Sequence, residues 1–352
     1  MRDVAIVSFA QGKSVRREVR EEVEMLVPVI AEAVKRSGLS RSQIGFTVSG
    51  SSDYLIGRPF SFVGALDAAG PWPPIEESHV EMDGAFALYE AWVRLQHGDI
   101  DAAVVYCFGR SSLGDIREVL VAQLDPYLLG PLAPDAVSLA ALQARAVLDS
   151  KKGTERDFAE IAARNRRNAA DNPNAQVRKS APAEELMREP YVVAPLRKHD
   201  LPPISDCAAA IVLAAGDLAK KVCPRPAWIR GIDTRIEPHS LGVRDLASSP
   251  STKTAGETAG VGRAPVDVAE LHAPYSFQEI ILKEALGLDA NVRVNPSGGA
   301  LAANPVMVAG LLRIGEAAQQ IHEGKARRAV AHATSGPCLQ QNLVCVLEGG
   351  ES

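Results

Sequence analysis

Apolar runs and amphipathic stretches alternate along the chain and predict an α/β protein. Apolar-rich runs predict strands at residues 4–9, 46–48, 102–108, 208–214, 266–271, 328–333 and 343–347. The run at 102–108 is continuously apolar, as expected of a fully buried strand. Apolar residues at helical spacing predict helices at residues 15–36, 85–96, 155–169, 252–258 and 306–321. Pro28 lies inside the first helical pattern, so we expect either a kink or a later start of that helix.

The same order of elements occurs twice. The segment HGDIDAAVVYCFG around Gly98 aligns with EGKARRAVAHATS around Gly324 at an offset of 226 residues. Each half also ends in a strand-like apolar run. These features favour an internal duplication of an α/β unit, interrupted by a different stretch at about residues 115–200.

Composition and charge exclude several classes of protein. Apolar residues make up 46% and charged residues 23% of the 352 residues, which is typical of a globular chain. The formal net charge of −5 argues against nucleic-acid binding. The longest apolar run, 207–215, is far shorter than the ~18 residues of a membrane span.

Cysteine and histidine usage bears on metals and on the compartment. The five cysteines include no CxxC pair, and the seven histidines show no metal-ligand spacing. We therefore expect neither a disulfide framework nor a metal site, and a cytoplasmic location. Residues 151–200 are basic, through Arg164, Arg166, Arg167, Arg178 and Lys179 among others. This segment is either a solvated helix face or a cradle for a phosphate-bearing ligand.

Two junctions between predicted elements carry candidate catalytic side chains. Glu81 and Asp83 precede the helix at 85–96, where a carboxylate either caps the helix or serves chemistry. His272 directly follows the strand at 266–271, and Tyr275 lies three residues on. A histidine there is placed for acid/base work, and we expect it to exchange protons near neutral pH without a large pKa shift.

Two further junctions lie nearer the end of the sequence. Ser297, Gly298 and Gly299 form a turn in which glycines allow close approach of a ligand. Asn304 is expected either to donate its amide to an oxyanion or to cap the helix that follows. Cys338 lies in a polar loop after a strand, as an active-site or an inert thiol.

These junctions, in this order, resemble the thiolase superfamily, especially its sterol-carrier-protein type and actinobacterial lipid-transfer relatives. The resemblance covers nearly the whole chain. Its best stretches are RDFAEIAARNRRNAADNPNAQ (156–176), SDCAAAIVLA (205–214), ELHAPYSFQEIILKEALGL (270–288) and VNPSGG (294–299). It implies a five-layered αβαβα fold with two duplicated halves, 1–222 and 223–352, and a loop domain inserted at about 115–200.

The family's catalytic residues do not carry over in full. The family's nucleophilic cysteine falls on Glu81, and the histidine of its Gly-His-Pro motif falls on Asn304. The histidine of its His-Asp-Cys-Phe motif remains as His272, and its Cys-x-Gly motif falls on about 336–338. A carboxylate is a poor nucleophile towards thioesters, so ordinary thiolase activity is not expected.

The resemblance implies an acyl-CoA ligand with no tightly bound cofactor, and Ser297, Gly298, Gly299 and Tyr275 are the candidate binding residues. It also implies a homodimer, or a heteromer with a thiolase homologue or an OB-fold, zinc-ribbon partner. An edge strand of the first half is expected to pair in the dimer, and the run at 102–108 is the candidate.

Three functions remain open. The first is retro-aldol cleavage of a β-hydroxyacyl-CoA, as in steroid side-chain degradation, with His272 or Glu81 as base and Asn304 in the oxyanion hole. The second is a non-catalytic subunit with a thiolase fold. The third is an acyltransferase that uses Cys338 as nucleophile and His272 as base. In either enzyme, His272, Asn304, Glu81 and the 336–338 loop are expected to converge on one pocket.

Overall fold

The computed structural model describes residues 1–350 and is a layered α/β structure. Its strands are β1 (Val4–Gln11), β2 (Phe46–Gly50), β3 (Glu76–Val80), β4 (Ala102–Arg110), β5 (Tyr191–Val193), β6 (Leu196–Arg197), β7 (Ile204–Ala215), β8 (Ala227–Ile236), β9 (Val268–Leu271), β10 (Arg293–Val294), β11 (Asn304–Pro305), β12 (Arg328–Ser335) and β13 (Gln341–Gly349). Its α-helices are α1 (Glu22–Ser37), α2 (Asp53–Ile56), α3 (Ser61–Ala65), α4 (Gly84–His97), α5 (Ile116–Ala122), α6 (Ala136–Asp149), α7 (Glu155–Asn168), α8 (Ala183–Leu186), α9 (Gly216–Val222), α10 (Pro250–Ala259), α11 (Gln278–Ala285) and α12 (Ala309–His322).

Two sets of five strands repeat one topology. The first set has the order β3-β2-β4-β7-β1, and the second has the order β10-β9-β12-β13-β8. In each set the first three strands run parallel to one another. The fourth strand pairs antiparallel with both the third and the fifth. The strands β4 and β12 hold equivalent positions, each preceded along the chain by a long helix, α4 or α12. The predicted duplication is therefore confirmed.

The two sets join along a short seam. Strands β1 and β8 pair only at Ala5 with Trp228 and at Ile6 with Ala227. Close to this seam, the guanidinium of Arg230 lies 3.2 Å from Asp3 Oδ1 and 3.2 Å from Glu348 Oε2. The seam therefore links strands from the beginning, middle and end of the sequence.

Helices fill three layers around the two sheets. Helix α1 buries its apolar face against one side of the first set, with Leu26 and Ile30 in contact with β4 and β7. Helices α4 and α12 lie between the sheets and pack on each other. Helix α10 covers the outer face of the second set. This is the predicted five-layered αβαβα arrangement, confirmed in the structure.

Several predicted elements differ in detail from the structure. Helix α1 begins at Glu22, which is the later start that Pro28 suggested, because Val15 instead bridges to Asp206. Among the strands of the two five-stranded sets, β3, β8 and β10 are not predicted from the sequence. The run at 102–108 is not an edge, because β4 lies between β2 and β7, so the expectation of an edge strand there is wrong. The edge of the first set is β3.

The stretch at 115–200 holds helices α5 to α8 and the small hairpin of β5 and β6. Helices α6 and α7 pack their apolar residues against α11 and the outer face of the second set. The division at residues 222 and 223 stays a prediction.

Candidate active site

His272 and Asn304 are in direct contact at the end of β9. The His272 ring is buried, with 7% of the residue exposed, and its Nε2 lies 2.9 Å from Asn304 Oδ1. The backbone N–H of Thr334 donates to Nδ1 at 3.3 Å. Because Nδ1 accepts, the ring proton is on Nε2 and is donated to the Asn304 oxygen. The side-chain amide nitrogen of half-buried Asn304 has no hydrogen-bond partner among residues 1–350, so it is free to donate.

The surroundings of His272 keep its ring from accepting a proton near neutral pH. Burial lowers the pKa of His272 to about 3, and the nearby charges of His332 and Arg313 act in the same direction. The hydrogen bond with Asn304 opposes this shift only in part. The expectation of proton exchange near neutral pH is therefore wrong for this ring. His272 instead holds Asn304 in one orientation.

Asn304 is positioned by strand pairing. It forms β11, which runs parallel to Ile204 at the start of β7, and its backbone N–H donates to Ser205 Oγ at 3.1 Å. The helix that follows begins only at Ala309. The alternative role of Asn304 as a helix cap is therefore wrong. The backbone carbonyl of Val306 approaches Gly109 so closely that a side chain at that position would collide with it.

Glu81 lies on the loop between β3 and α4. Its Oε1 accepts a hydrogen bond of 2.6 Å from the backbone N–H of Asp53, and its Oε2 lies 3.4 Å from His79 Nε2. The carboxylate is accessible, with 45% of its side chain exposed. It makes no hydrogen bond to His272 or Asn304. The two loops are nevertheless neighbours, because Gly84 N donates to Met307 O at 2.9 Å.

The helix cap beside Glu81 is Asp83. Its carboxylate accepts from the backbone N–H groups of Ala85 at 2.9 Å, Gly310 at 2.9 Å and Leu311 at 3.0 Å. It thus caps α4, as one sequence interpretation proposed, and also binds the first turn of α12. Burial raises the pKa of Asp83, and the three N–H donors oppose that shift.

Cys338 lies in an apolar cluster and makes no hydrogen bond to His272. Its thiol packs with Leu124 and Leu139 and lies 3.6 Å from the Leu139 carbonyl oxygen. Burial raises the pKa of Cys338 to about 11, which the guanidinium of Arg244 opposes. The backbone carbonyl of Cys338 accepts hydrogen bonds from Gln143 and Arg244. These features are typical of an inert thiol rather than a nucleophile.

Tyr275 lies beside Cys338 on the loop between β9 and α11. Its ring stacks on Phe277 with centroids 6.2 Å apart, and burial raises the pKa of its hydroxyl. Its backbone N–H donates to Gln278 Oε1 at 3.1 Å. At neutral pH this phenol is a hydrogen-bond donor rather than a base.

Ser297 belongs to a buried charge cluster that the sequence did not reveal. Its backbone N–H and hydroxyl donate to Glu270 at 2.9 and 2.7 Å, and Arg313 Nη1 lies 2.8 Å from the same carboxylate. Gly298 and Gly299 have positive φ angles of 102° and 63°. A Cβ on Gly298 would lie 2.5 Å from Ala169 Cβ, so glycine allows the close packing of this turn against Ala169.

Some arginines of the basic segment at residues 151–200 contact other residues of the chain. Arg164 pairs with the buried Glu279, and Arg178 donates to the Ala170 carbonyl at 2.8 Å. Arg167 and Lys179 remain exposed. These two residues, and Arg178, whose partner is a neutral carbonyl, are exposed charges of the proposed phosphate-binding segment.

Glu81, Tyr275 and Cys338 make no hydrogen bond to His272 or Asn304, and the convergence of all these residues on one pocket stays a prediction. His272 and Asn304 form one group, Tyr275 and Cys338 a second, and Glu81 a third. Two open grooves, of about 690 and 670 Å³, lie along β1 between α1 and α12, and none of these residues lines them. Within residues 1–350, no helix is long and apolar enough to cross a membrane, and no cluster of three potential metal ligands occurs.

Comparison with known proteins supports the fold and the resemblance. No family model matches the chain. Acetyl-CoA acetyltransferase of Methanothermobacter thermautotrophicus is 25% identical over 369 residues, which covers 96% of this chain and 95% of that protein. Sterol carrier protein 2 of Gallus gallus is 29% identical over 222 residues, 55% of this chain and 40% of that protein. Benzoylsuccinyl-CoA thiolase subunit BbsB of Thauera aromatica is 27% identical over 233 residues, 57% of this chain and 60% of that protein.

A solved structure described as Ltp2-ChsH2(DUF35) aldolase superposes with a TM-score of 0.81 at 19% identity, covering 98% of this chain and 97% of that one. Its likeness concerns the fold, and the curated relatives carry the sequence relationship. Together with the repeated five-stranded topology and the two helices packed between the two sets of strands, these similarities support the resemblance of the chain to the thiolase superfamily and to its sterol-carrier-protein-like branch.

Proposed function

We propose that this protein binds an acyl-CoA thioester and cleaves a carbon–carbon bond of a β-hydroxyacyl-CoA by a retro-aldol reaction. The observation that carries this proposal is the contact between His272 and Asn304. It leaves the Asn304 amide nitrogen as an oriented donor beside a loop that presents a carboxylate. Retro-aldol cleavage needs a donor for the thioester oxygen and a base, and needs no covalent intermediate.

The reaction assigns one role to each group. The Glu81 carboxylate takes the proton of the β-hydroxyl, the bond between Cα and Cβ breaks, and Cβ becomes a carbonyl carbon. The bonding electrons form the thioester enolate, whose oxygen accepts a hydrogen bond from Asn304. Protonated Glu81 then returns the proton to Cα, which gives a shortened acyl-CoA and an aldehyde or ketone. His272 acts only through Asn304, because both of its ring nitrogens are occupied.

Two relatives favour a partner subunit. The fold neighbour is named Ltp2-ChsH2(DUF35) aldolase, and BbsB is named as a thiolase subunit. A steroid-type acyl group stays a proposal that the resemblance implies. We propose that this chain likewise assembles as a homodimer or with a thiolase homologue, and with an OB-fold, zinc-ribbon partner. Ser297, Gly298, Gly299 and Tyr275 stay proposed CoA contacts, with Arg167 and Lys179 for the phosphates.

The second candidate function is a non-catalytic subunit. It is favoured by the directions of three pKa shifts near the site. Burial moves the pKa of His272 to about 3, raises that of Cys338 to about 11 and also raises that of Tyr275. Glu81 then remains the one accessible candidate base among those considered. The same shift at Cys338 argues against the acyltransferase alternative.

The deciding experiment uses the purified chain alone and with its co-purifying partners. We expect cleavage of β-hydroxyacyl-CoA and no thiolysis of β-ketoacyl-CoA. Asn304→Ala should lower kcat by ~10²–10³, the usual effect of losing one oxyanion donor, whereas Asn291→Ala, in an exposed loop, should have no effect. Absence of cleavage with every partner would favour the non-catalytic subunit. Thiolysis that depends on Cys338 would establish the acyltransferase instead.

A further inference from the structure

His79 and Ser49 form a hydrogen-bonded relay that ends on Glu81. Ser49 on β2 and His79 on β3 face each other across paired strands, and Ser49 Oγ lies 2.9 Å from His79 Nδ1. The opposite ring nitrogen, Nε2, lies 3.4 Å from Glu81 Oε2. The three side chains therefore lie in one row, from the interior of the sheet to the accessible carboxylate.

The direction of the hydrogen bonds follows from their partners. An ionised carboxylate only accepts, so a favourable contact requires the proton on Nε2 of His79. In the neutral ring Nδ1 then accepts, and the Ser49 hydroxyl donates to it. The separation of 3.4 Å is long for an N–H···O bond, as is common for catalytic contacts before substrate binds.

Two further contacts fix the ring and the carboxylate. The ring of Phe62 stacks on His79 with centroids 4.2 Å apart and an interplanar angle of 9°. The second oxygen of Glu81 is held by the backbone N–H of Asp53 at 2.6 Å. Glu81 is thus held at both oxygens although its side chain is accessible.

Ser49 does not itself act as a nucleophile. The arrangement has the composition of a Ser-His-Glu triad, but Ser49 is fully buried, with 0% exposed, inside the sheet. The Glu81 end of the row is the accessible one, with 45% of its side chain exposed against 13% for His79. The row therefore orients the carboxylate rather than activating the hydroxyl.

The geometry points to His79 as a positioning residue for Glu81 in the proposed cleavage, with Ser49 donating to the opposite ring nitrogen. This inference rests on the proposed function, in which Glu81 is the base. His79 restricts the carboxylate to one rotamer and leaves the outward lone pairs of Glu81 for the β-hydroxyl. Neither His79 nor Ser49 touches the substrate.

The test compares variants of the protein with its co-purifying partners in the cleavage assay. His79→Ala should lower kcat by about 10-fold to 100-fold with KM unchanged, because part of the general-base effect is lost. His79→Gln retains an amide N–H near the position of Nε2 and should restore most of kcat. The matched control is His97→Ala, an exposed histidine at the far end of α4.

Combination with Glu81→Gln separates positioning from folding. In that background His79→Ala should cause no further loss of kcat, because the carboxylate is already gone. A structural defect would instead add to the effect of Glu81→Gln and would lower the thermal midpoint. The ¹⁵N shifts of the His79 ring should show the proton on Nε2, and a proton on Nδ1 would overturn the relay.

The outcomes distinguish this inference from the proposed function. A wild-type protein that cleaves no β-hydroxyacyl-CoA with any partner overturns the function, and the role of His79 falls with it. An active wild type whose kcat is unchanged in His79→Ala overturns the role of His79 alone. Full activity of Glu81→Gln removes Glu81 as the base and overturns the positioning role, while leaving cleavage itself established.

Discussion

The carboxylate of Asp83 accepts a hydrogen bond of 3.0 Å from the backbone N–H of Leu311, 228 residues further along the chain. The same carboxylate caps α4 through Ala85. One buried negative charge therefore sits at the N-termini of both central helices, where the two helix dipoles favour it. This contact couples the two halves at the centre of the molecule.

Replacement of Asp83 should destabilise both helices together. Asp83→Asn retains one oxygen but loses the charge and turns an N–H₂ group towards backbone donors. We expect the free energy of unfolding to fall by about 1–3 kcal/mol, measured by urea denaturation. Asp217→Asn is the control, since that side chain is 98% exposed, and should change it by less than about 0.5 kcal/mol. Equal effects of both variants would contradict the double-cap role.

Gly310 allows the close approach of α12 to Asp83. A Cβ there would lie 2.5 Å from Asp83 Oδ1 and 2.6 Å from Ala333 Cβ. Gly310→Ala should therefore cost about 1–3 kcal/mol of stability by overpacking, although alanine favours helix formation. Gly114→Ala, where nothing lies within 4 Å of the new atom, is the control in the same denaturation experiment. A stabilised Gly310→Ala protein would show that the helices separate without cost.

Acid should weaken the fold through His332. Burial lowers the pKa of this fully buried ring to about 4, whereas an unfolded histidine titrates near ~6.5. Between these values the unfolded state binds the proton first, so this contribution to stability is complete above pH ~6.5 and is lost as the pH falls towards 4. In His332→Gln this pH-dependent contribution to stability is absent, because glutamine does not bind a proton in this range.

Urea denaturation of both proteins at pH 7 and pH 4.5 checks this prediction. The wild type should lose on the order of 2 kcal/mol more than His332→Gln on acidification. The two proteins are compared because Glu270 also titrates in this range. Burial raises the pKa of Glu270 to about 7, so protonation of this carboxyl stabilises the native state as the pH falls, and this effect is the same in both proteins. Equal losses would show that His332 accepts a proton within the native state.

Cys338 should behave as an inert thiol. All five cysteines are buried, and burial raises the pKa of Cys338 to about 11. Native protein should therefore react with iodoacetamide far more slowly than urea-unfolded protein, as followed by mass spectrometry. Cys338→Ser should leave the cleavage reaction unchanged. Rapid labelling of Cys338 that acyl-CoA prevents would instead support the acyltransferase alternative.

The edge strand β3 should be the place of self-association. It pairs with β2 on one side only, and unpaired edges favour association. We expect light scattering to give twice the chain mass of 37.4 kDa at micromolar concentration. Amide exchange of residues 76–80 should be faster at dilutions that dissociate the dimer, while the other edge, at 293–294, should show no such dependence. A monomer at micromolar concentration would contradict this assembly.

The sequence predicts the elements with strong patterns and misses those without. The continuous apolar run of β4, the apolar-rich run of β12 and the amphipathic helices beside them predict the duplicated layers. Strand β3 reads EESHV and is half-exposed at an edge, so it shows neither an apolar run nor a clear alternation. Its identity depends on pairing with β2, which no local pattern records.

The site residues show the same division. The position of His272 after a strand was visible, and its contact with Asn304 agrees with the proposed grouping of these two residues. The ring tautomer was not visible, because Thr334 of a third strand sets it. The burial that lowers its pKa comes from the layers around it. The cluster of Glu270, Ser297 and Arg313 likewise joins three separate segments.

Arg230 brings residues 3 and 348 to either side of one guanidinium, 3.2 Å from each carboxylate. A linker of a few residues between these positions would close the chain into a ring. A new opening at 223–226, between α9 and β8, would cut no helix or strand. Such a circular permutant would carry the second half before the first and keep every layer, because residues 3 and 348 are close enough for a short linker to join them. The permutant would then form the same layers although its second half is synthesised before its first.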